Sequence, residues 1–446
     1  MKRILVIGAG LSSTSLINYL LKESEKFNWK VVIADLDEDL AKRKAKNHKN
    51  ASVLKFNIFD EQQRLKEIEN SDVVISMLRA KFHPIVAEDC LATSTHMITA
   101  SYVSKDMQSF DEIAKRKGIA LLNELGVDPG IDHMSAMKII DAIKNEGGKM
   151  ISFKSNTGGL IAPEFDNNPW HYKFTWNPRN VVLAGQGNAM FIRNGKLKYI
   201  PYHQLFRRTL TTTVLDYGEF EIYANRDSLS YRGIYGLEDI PTMFRGTLRR
   251  PGYCEAWNAF VQLGITDDTY IIENSDKLTY RDFINAYLRY DPIKPVEEKF
   301  CDYLNIEPKS ETYKKIEWLE IFTDKKIKLS QATPAQILQD LLEEKWALGE
   351  KDKDMIVMQH EFEYEQNGKK KGIRSSLVVK GKDKDNTAMA ITVGTPVAIA
   401  AKMLLTGVID VKGVHRPIIP ELYVPIMEEL AEYGIEFIEE EYEPKE

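Results

Sequence analysis

Short apolar runs alternate with amphipathic stretches through the first third of the chain. Residues 4–7 are apolar without interruption, the pattern of a strand buried on both faces. Helical spacing follows over about residues 11–22, and a second apolar run stands at 31–34. The same reading predicts strands at 53–56, 73–78, 97–100 and 119–122. Helical segments separate most of them, as at 85–91 and 107–115. Strand–helix alternation of this kind implies right-handed crossovers and a parallel sheet.

The pattern changes after Asp128. A helix is predicted over about 131–144, then longer strands, Gly-rich turns and many aromatics from 150 to about 253. Residues 256–348 read mostly helical, with several charged faces. Strands at 355–365 and 373–379 are expected to form a hairpin across Asn367-Gly368, a favoured two-residue turn pair. Residues 388–393 read as a strand. Thr395 and Pro396 then read as N-cap and first-turn proline of a helix running to Thr406 and stopped by Gly407. This tail is expected to pack back on the first domain, making it discontinuous: 1–130 with 388–446. A second, α/β domain is assigned to 131–255 with 350–387, and a mostly helical subdomain to 256–349. The acidic end, 428–446, reads as a solvated helix and tail.

A chain of 446 residues is too long for one ordinary core, in line with this division. Apolar residues at 43% and charged residues at 28% make it globular rather than disordered. The net charge of −6 and the lack of a dense basic block argue against a nucleic-acid partner. Cys90, Cys254 and Cys301 lie far apart, form no CxxC pair, and suggest neither a disulfide framework nor a metal site. They read as reduced, buried thiols of a cytoplasmic protein. No charged segment followed by an apolar one opens the sequence, and no apolar run is read as long enough to span a bilayer. Neither secretion nor a membrane is therefore expected.

Chemistry enters at the first strand–helix junction, Gly8-Ala9-Gly10-Leu11-Ser12-Ser13. Gly8 permits the tight turn, and Gly10 lets backbone approach a pyrophosphate. The helix start, with Leu11 and Ser12, then faces that anion. Ser13 stands where the fingerprint has Gly or Ala, and is small enough for close helix packing. The second strand ends at Asp35, whose carboxylate can accept from both ribose hydroxyls and would repel a 2′-phosphate. The expected cofactor is a nicotinamide dinucleotide, NAD in preference to NADP, although Lys42, Arg43 and Lys44 offer cations nearby. The expected fold class is α/β: a Rossmann-type parallel sheet domain completed by the C-terminal segment, plus a mixed α/β domain with a helical subdomain.

The stretch from Asn123 to His133, Asn-Glu-Leu-Gly-Val-Asp-Pro-Gly-Ile-Asp-His, resembles the GLDPGIDH signature of the saccharopine dehydrogenases that form L-glutamate, or saccharopine reductases. Other segments resemble that family in the same order. They are Ser101-Tyr102-Val103-Ser104, Gly158-Gly159-Leu160-Ile161-Ala162-Pro163-Glu164, and Asn168-Pro169 with Tyr172-Lys173-Phe174-Thr175-Trp176. Asn225-Arg226-Asp227-Ser228, Arg245-Gly246-Thr247-Leu248-Arg249 and residues 394–407 complete the series. The resemblance implies that saccharopine, a nicotinamide dinucleotide and water give glutamate, 2-aminoadipate 6-semialdehyde and the reduced dinucleotide. It also implies that the mixed α/β domain serves substrate binding and dimerisation, giving a homodimer joined through strands of that second domain.

Substrate contacts implied by the resemblance fall at Ser101, Tyr102, Asp128, Arg226, Thr247, Leu248 and Arg249. A tricarboxylate substrate needs fixed cations, and the planar fork of arginine matches a carboxylate, so Arg226 and Arg249 are the expected clamps. Tyr102 and Asp128 are the candidates beside the reacting centre, to position the substrate or move a proton. His133 is read as packing or capping its helix. Met77, Leu78, Leu125 and Gly126 are expected to touch the dinucleotide. Two departures stand out: Thr157 replaces a cysteine of fungal relatives, and Arg79 stands where the family has proline. Oxidised NAD favours breaking saccharopine down, so lysine degradation is the expected setting. Two other readings stay open. A carboxynorspermidine-type dehydrogenase would perform the same imine chemistry in an acidic pocket, and a non-catalytic NAD-binding protein would bind without turnover.

Overall fold

The computed structural model describes residues 1–184 and 186–444. In chain order the first elements are β1 (Arg3–Ile7), α1 (Thr14–Phe27), β2 (Lys30–Asp35), α2 (Glu38–Ala45), β3 (Ala51–Lys55), α3 (Glu61–Glu69) and β4 (Val73–Ser76). There follow α4 (His83–Thr93), β5 (His96–Ile98), α5 (Lys105–Ser109), α6 (Asp111–Lys117), β6 (Ala120–Leu122) and α7 (Ile131–Asn145). The middle of the chain forms β7 (Lys149–Ile161), α8 (Pro178–Val182), β8 (Ala189–Arg193), β9 (Lys196–Ile200), β10 (Leu210–Thr213), β11 (Glu219–Ala224), α9 (Tyr231–Ile234) and β12 (Thr242–Arg249). Mostly helical chain comes next: α10 (Tyr253–Leu263), β13 (Ile272–Glu273), α11 (Tyr280–Ala286), α12 (Val296–Leu304), α13 (Glu311–Trp318), β14 (Gln331–Ala332) and α14 (Pro334–Lys345). The chain ends with β15 (Asp354–Gln366), β16 (Lys369–Lys380), α15 (Ala388–Thr406), β17 (Gly413–His415), α16 (Pro420–Glu432) and β18 (Ile438–Tyr442).

The chain divides into two compact units. The first comprises Met1–Met150, Tyr364–Lys370 and Leu377–Glu440, and the second comprises Ile151–Glu363, Lys371–Ser376 and Glu441–Glu446. In the first, seven strands form a sheet in the order β17-β6-β5-β4-β1-β2-β3, with every pairing parallel. Without β17 this is the strand order of a dinucleotide-binding Rossmann sheet, and its switch point lies between β1 and β4. Ile4, Leu5, Val6, Val31, Ile33, Val73 and Val74 are buried, as strands covered on both faces require.

The tail differs from its reading in sequence. Residues 388–393 are helix, not strand, and α15 runs unbroken through Pro396. Its N-cap is Thr387, whose side chain accepts from the amide of Ala390 at 3.0 Å. Thr395 and Pro396 therefore sit mid-helix, both buried, and Pro396 leaves one helical hydrogen bond unmade. A Cβ on Gly394 would stand 2.9 Å from both the Leu16 nitrogen and the Ser12 carbonyl oxygen, so this glycine sets how closely α15 meets α1. As one element, α15 is also long and apolar enough to cross a membrane, which the sequence reading missed by dividing it; most of it is buried inside the fold. The acidic end is not simply a solvated tail, because β18 joins the second sheet beside β16. Lys445 and Glu446 lie outside the described residues.

The second sheet has nine strands and is mixed, in the order β10-β11-β12-β7-β15-β16-β18, with β8 and β9 branching from β12. The expected hairpin forms β15 and β16, and Asn367 (φ 53°) and Gly368 (φ 73°) both adopt the left-handed region its turn demands. The core of this unit is aromatic. Trp170 stands 5.2 Å from Trp346, 5.7 Å from Tyr253 and 5.8 Å from Phe260, centroid to centroid.

Candidate active site

In the first unit the predicted cofactor residues converge on the carboxyl edge of the parallel sheet, where such sheets hold ligands. Gly8 follows β1 at φ +105°, and a Cβ there would stand 2.9 Å from the Met77 carbonyl oxygen. The loop after β4 thus presses Met77 against the glycine turn. A Cβ at Gly10 would meet nothing within 4 Å, which leaves its backbone open to an approaching group. Leu11 and Ser12 form a short 3-10 turn ahead of α1, and Leu11 is exposed. Ser13 is buried, with its hydroxyl donating to the Gly10 carbonyl at 2.7 Å, so the departure from Gly or Ala is accommodated inside the turn.

Asp35 ends β2 beside this loop. Its Oδ2 accepts from the Ala9 amide at 2.6 Å and its Oδ1 from the Asp37 amide at 2.9 Å, which orients the carboxylate and leaves lone pairs for further donors. Two of the three nearby cations are engaged. Lys44 donates to Thr14, and Lys42 pairs with Glu38 at 2.9 Å; Arg43 is exposed. Burial holds the half-buried Lys44 ammonium below the usual lysine range. This arrangement of glycine turn, helix start and carboxylate fits a nicotinamide dinucleotide.

Ser101, Tyr102, Leu125, Gly126 and Asp128 follow β5 and β6 at the same edge. The hydroxyl of Tyr102 donates to Asp128 Oδ1 at 3.3 Å, and Tyr102 is 46% exposed, so the pair is formed and reachable. Leu125 is buried, its amide donating to the Thr99 carbonyl, and Gly126 packs against Ala100.

Two buried networks brace these loops, and sequence reasoning missed most of both. Glu124, at φ +58°, accepts the Val103 amide and Arg416 Nε on Oε1, each at 2.9 Å. Its Oε2 meets His133 Nε2 at 2.8 Å. Burial raises the Glu124 carboxyl, but His133, the Val103 amide and Arg416 outweigh it and hold the group below the usual glutamate range. His133 is thus a buried partner of a carboxylate. Arg416 follows β17, nearly three hundred positions downstream, and no local pattern marks it. The second network joins His83 to Ser76, Thr99 and Ser101.

The second unit carries the remaining predicted residues. Arg249, Thr247 and Leu248 share β12, and Arg226 follows β11. The two strands pair with Glu221 opposite Arg249 and Ala224 opposite Gly246. The expected clamps, Arg226 and Arg249, therefore lie near opposite ends of the pair, about 16 Å apart along it at a strand's rise. Arg226 is exposed, with φ 36°. Arg249 is 4% exposed, with its guanidinium 4.9 Å from the Tyr172 ring, 5.3 Å from Tyr253 and 5.7 Å from Tyr223. Among the described residues no carboxylate pairs with it, and its Nε has no hydrogen-bond partner.

Leu248 is wholly buried, so its side chain is sealed from ligand in this conformation. Thr247 stands beside Thr157 across the parallel β12–β7 pairing, and among the described residues the Thr157 hydroxyl also lacks a partner. Much of the segment from Asn168 to Trp176 serves the core. Tyr172 and Phe174 pack on Trp346, and buried Lys173 donates to Asp352 at 2.6 Å. A cavity of about 710 Å³ lined by Phe206, Glu221, Cys254 and Gln262, among others, contains none of the predicted substrate residues.

Comparison with known proteins bears on these assignments. A family profile described as the saccharopine dehydrogenase C-terminal domain matches residues 126–435, and one described as the saccharopine dehydrogenase NADP binding domain matches residues 4–122. The chain belongs to the saccharopine dehydrogenase family. It is 33% identical to saccharopine dehydrogenase [NADP(+), L-glutamate-forming] of Saccharomyces cerevisiae over 442 residues, covering 97% of this chain and 98% of that protein. It is also 33% identical to mitochondrial alpha-aminoadipic semialdehyde synthase of Mus musculus over 445 residues, 98% of this chain. That match spans only 47% of the mouse protein, about half its length. Apo saccharopine dehydrogenase (L-Glu forming) from S. cerevisiae superimposes with a TM-score of 0.90 at 32% identity, covering 99% of this chain and 100% of that one. Homospermidine synthase from Legionella pneumophila shares the fold alone, at a TM-score of 0.54 and 10% identity over 99% of this chain and 91% of that one.

Proposed function

We propose that this member of the saccharopine dehydrogenase family cleaves saccharopine oxidatively to L-glutamate and 2-aminoadipate 6-semialdehyde, with NAD as the preferred cofactor and lysine degradation as its setting. One observation carries the reading: the reachable Tyr102–Asp128 pair stands at the same sheet edge as the glycine turn and Asp35. The names of the fungal and mammalian relatives support the substrate and its products. Within the first unit the glycine turn and Asp35 are assigned the dinucleotide.

A bound nicotinamide ring supplies the hydride acceptor. Gly8 and Gly10 bring backbone to the pyrophosphate, and Asp35 accepts the ribose hydroxyls. The fungal relatives are named for NADP(+), and the preference for NAD here departs from them. Its support is local: Asp35 is followed by Leu36 and Asp37, and Lys42 and Lys44 are already paired. A 2′-phosphate beside Asp35 would be repelled by that carboxylate.

Asp128 holds the substrate nitrogen, and Tyr102 donates a hydrogen bond to the substrate. Proton transfer during water attack and amine departure runs through these two groups. Within the second unit Arg249 and Arg226 are the candidate carboxylate clamps. A buried guanidinium without a carboxylate partner is costly, and an incoming carboxylate would relieve that cost.

The test is formation of reduced nicotinamide and glutamate from saccharopine with NAD⁺ or with NADP⁺, for the natural enzyme and for Asp35→Ser. Turnover with NAD⁺, shifting toward NADP⁺ in the variant, is expected. Turnover with NADP⁺ alone would keep the reaction and overturn the cofactor assignment. Turnover of carboxynorspermidine but not saccharopine would overturn the substrate.

A further inference from the structure

His83 is 2% exposed and opens α4, yet its ring joins the ends of two strands. Ser76 Oγ at the end of β4 lies 2.9 Å from Nδ1. Ser101 Oγ, after β5, lies 2.7 Å from Nε2, and Thr99 Oγ1 lies 3.2 Å from the same nitrogen. Burial lowers the ring's basicity to about 4, so it is neutral in ordinary working conditions and carries one N–H.

Which nitrogen holds that hydrogen follows from Ser76. It is wholly buried, and among the described residues its hydroxyl has no partner but His83. If Nδ1 held the hydrogen, the ring would donate to Ser76 and strand the serine O–H without an acceptor, an unmade hydrogen bond in a dry place. If Nδ1 is bare, Ser76 donates to it and nothing is stranded. The hydrogen then sits on Nε2, which donates to Ser101 Oγ. Thr99 Oγ1 accepts from the Ser101 amide at 3.3 Å and is the weaker second acceptor for Nε2–H. A Ser101 oxygen that accepts from the ring must direct its own hydrogen elsewhere.

We propose that His83 is a positioning residue: fixed as its Nε2–H tautomer by Ser76, it turns the Ser101 hydroxyl hydrogen away from the interior so that Ser101 donates to a substrate carboxylate. This rests on the reading above that Ser101 contacts saccharopine. The residue transfers no proton and touches no substrate.

Two measurements test it. Nitrogen-15 spectra of histidine-labelled holoenzyme, with H83Q to assign the signal, read the tautomer directly. The Nε2–H form is expected, and an Nδ1–H form overturns the proposal. Kinetics supply the second arm. His83→Leu is expected to raise KM for saccharopine about tenfold, the value of one hydrogen bond to a charged group, and to leave KM for the dinucleotide nearly unchanged. His83→Gln, whose amide can replace the Nε2 donor, should restore most of the loss. In a Ser101→Ala background His83→Leu should add nothing. A merely structural histidine would lower affinity for both ligands and would do so equally in both backgrounds, which also overturns the proposal. If the natural enzyme does not turn over saccharopine, the cleavage reading fails, and the tautomer still decides the state of the ring.

Discussion

Replacing Glu124 by alanine should loosen the loops that follow β5 and β6 in the first unit. The side chain accepts from three donors: the Val103 amide, Arg416 Nε and His133 Nε2. His133 is fully buried, and its orphaned donor costs about 1–3 kcal/mol. Arg416 retains 22% side-chain exposure and can rehydrate in part, so its loss lies toward the low end of the same range. With the Val103 amide and the space vacated, Glu124→Ala should cost about 3–5 kcal/mol, the usual result of breaking a buried ion pair from one side. Glu124→Gln keeps Oε1 for Val103 and Arg416 and should cost far less. The assay is urea denaturation, with hydrogen exchange to locate the weakened segment at residues 97–135. Arg416→Ala should cost little once Glu124 is already alanine, because the two share one interaction. Acid supplies a further check. Glu124 is held below the usual glutamate range in the folded chain, so its contribution is full above that range and fades as pH falls through the folded value. The gap between the natural protein and Glu124→Gln should narrow in the same window. A loss below about 1 kcal/mol for Glu124→Ala, or full additivity with Arg416→Ala, would falsify the account.

Other substitutions separate packing from function. Gly394→Val drives new atoms into α1 backbone 2.9 Å from the glycine's Cβ position; it should cost about 1–3 kcal/mol and weaken dinucleotide binding through Ser12, read by thermal denaturation with and without NAD⁺. Arg249→Met should behave oppositely. Removing a buried cation that has no carboxylate partner among the described residues should leave stability unchanged or higher, whereas on the proposed reaction KM for saccharopine should rise; a fall of more than about 1 kcal/mol would show that the tyrosines and the Leu248 carbonyl already satisfy it. Lys173→Met strands Asp352 and should cost about 3–5 kcal/mol, with much of it recovered when Asp352 is made apolar as well; failure to recover would point to another partner for Lys173.

Much of this protein follows from local sequence. Continuous apolar runs mark strands buried on both faces. Gly8, Gly10 and Asp35 keep their places because turn geometry and the end of a parallel strand are set by a few adjacent residues. The hairpin across Asn367-Gly368 was legible for the same reason. The aromatic residues from Asn168 to Trp176 were legible as a motif but not as a core, since only packing shows that Trp346 completes it. Residues 388–406 misled because a buried helix with β-branched residues reads like a strand, and an internal proline reads like a helix start. The pairing of Glu124 with Arg416 and of His83 with Ser101 joins side chains that no spacing rule connects. Arg249 could be nominated from sequence, but its burial among Tyr172, Tyr223 and Tyr253 could not, because those rings come from three separate segments. Periodicity and turn chemistry act over a few residues. Burial, ion pairing and the tautomer of a ring depend on which distant segments arrive, and that is decided only when the sheets close over their cores.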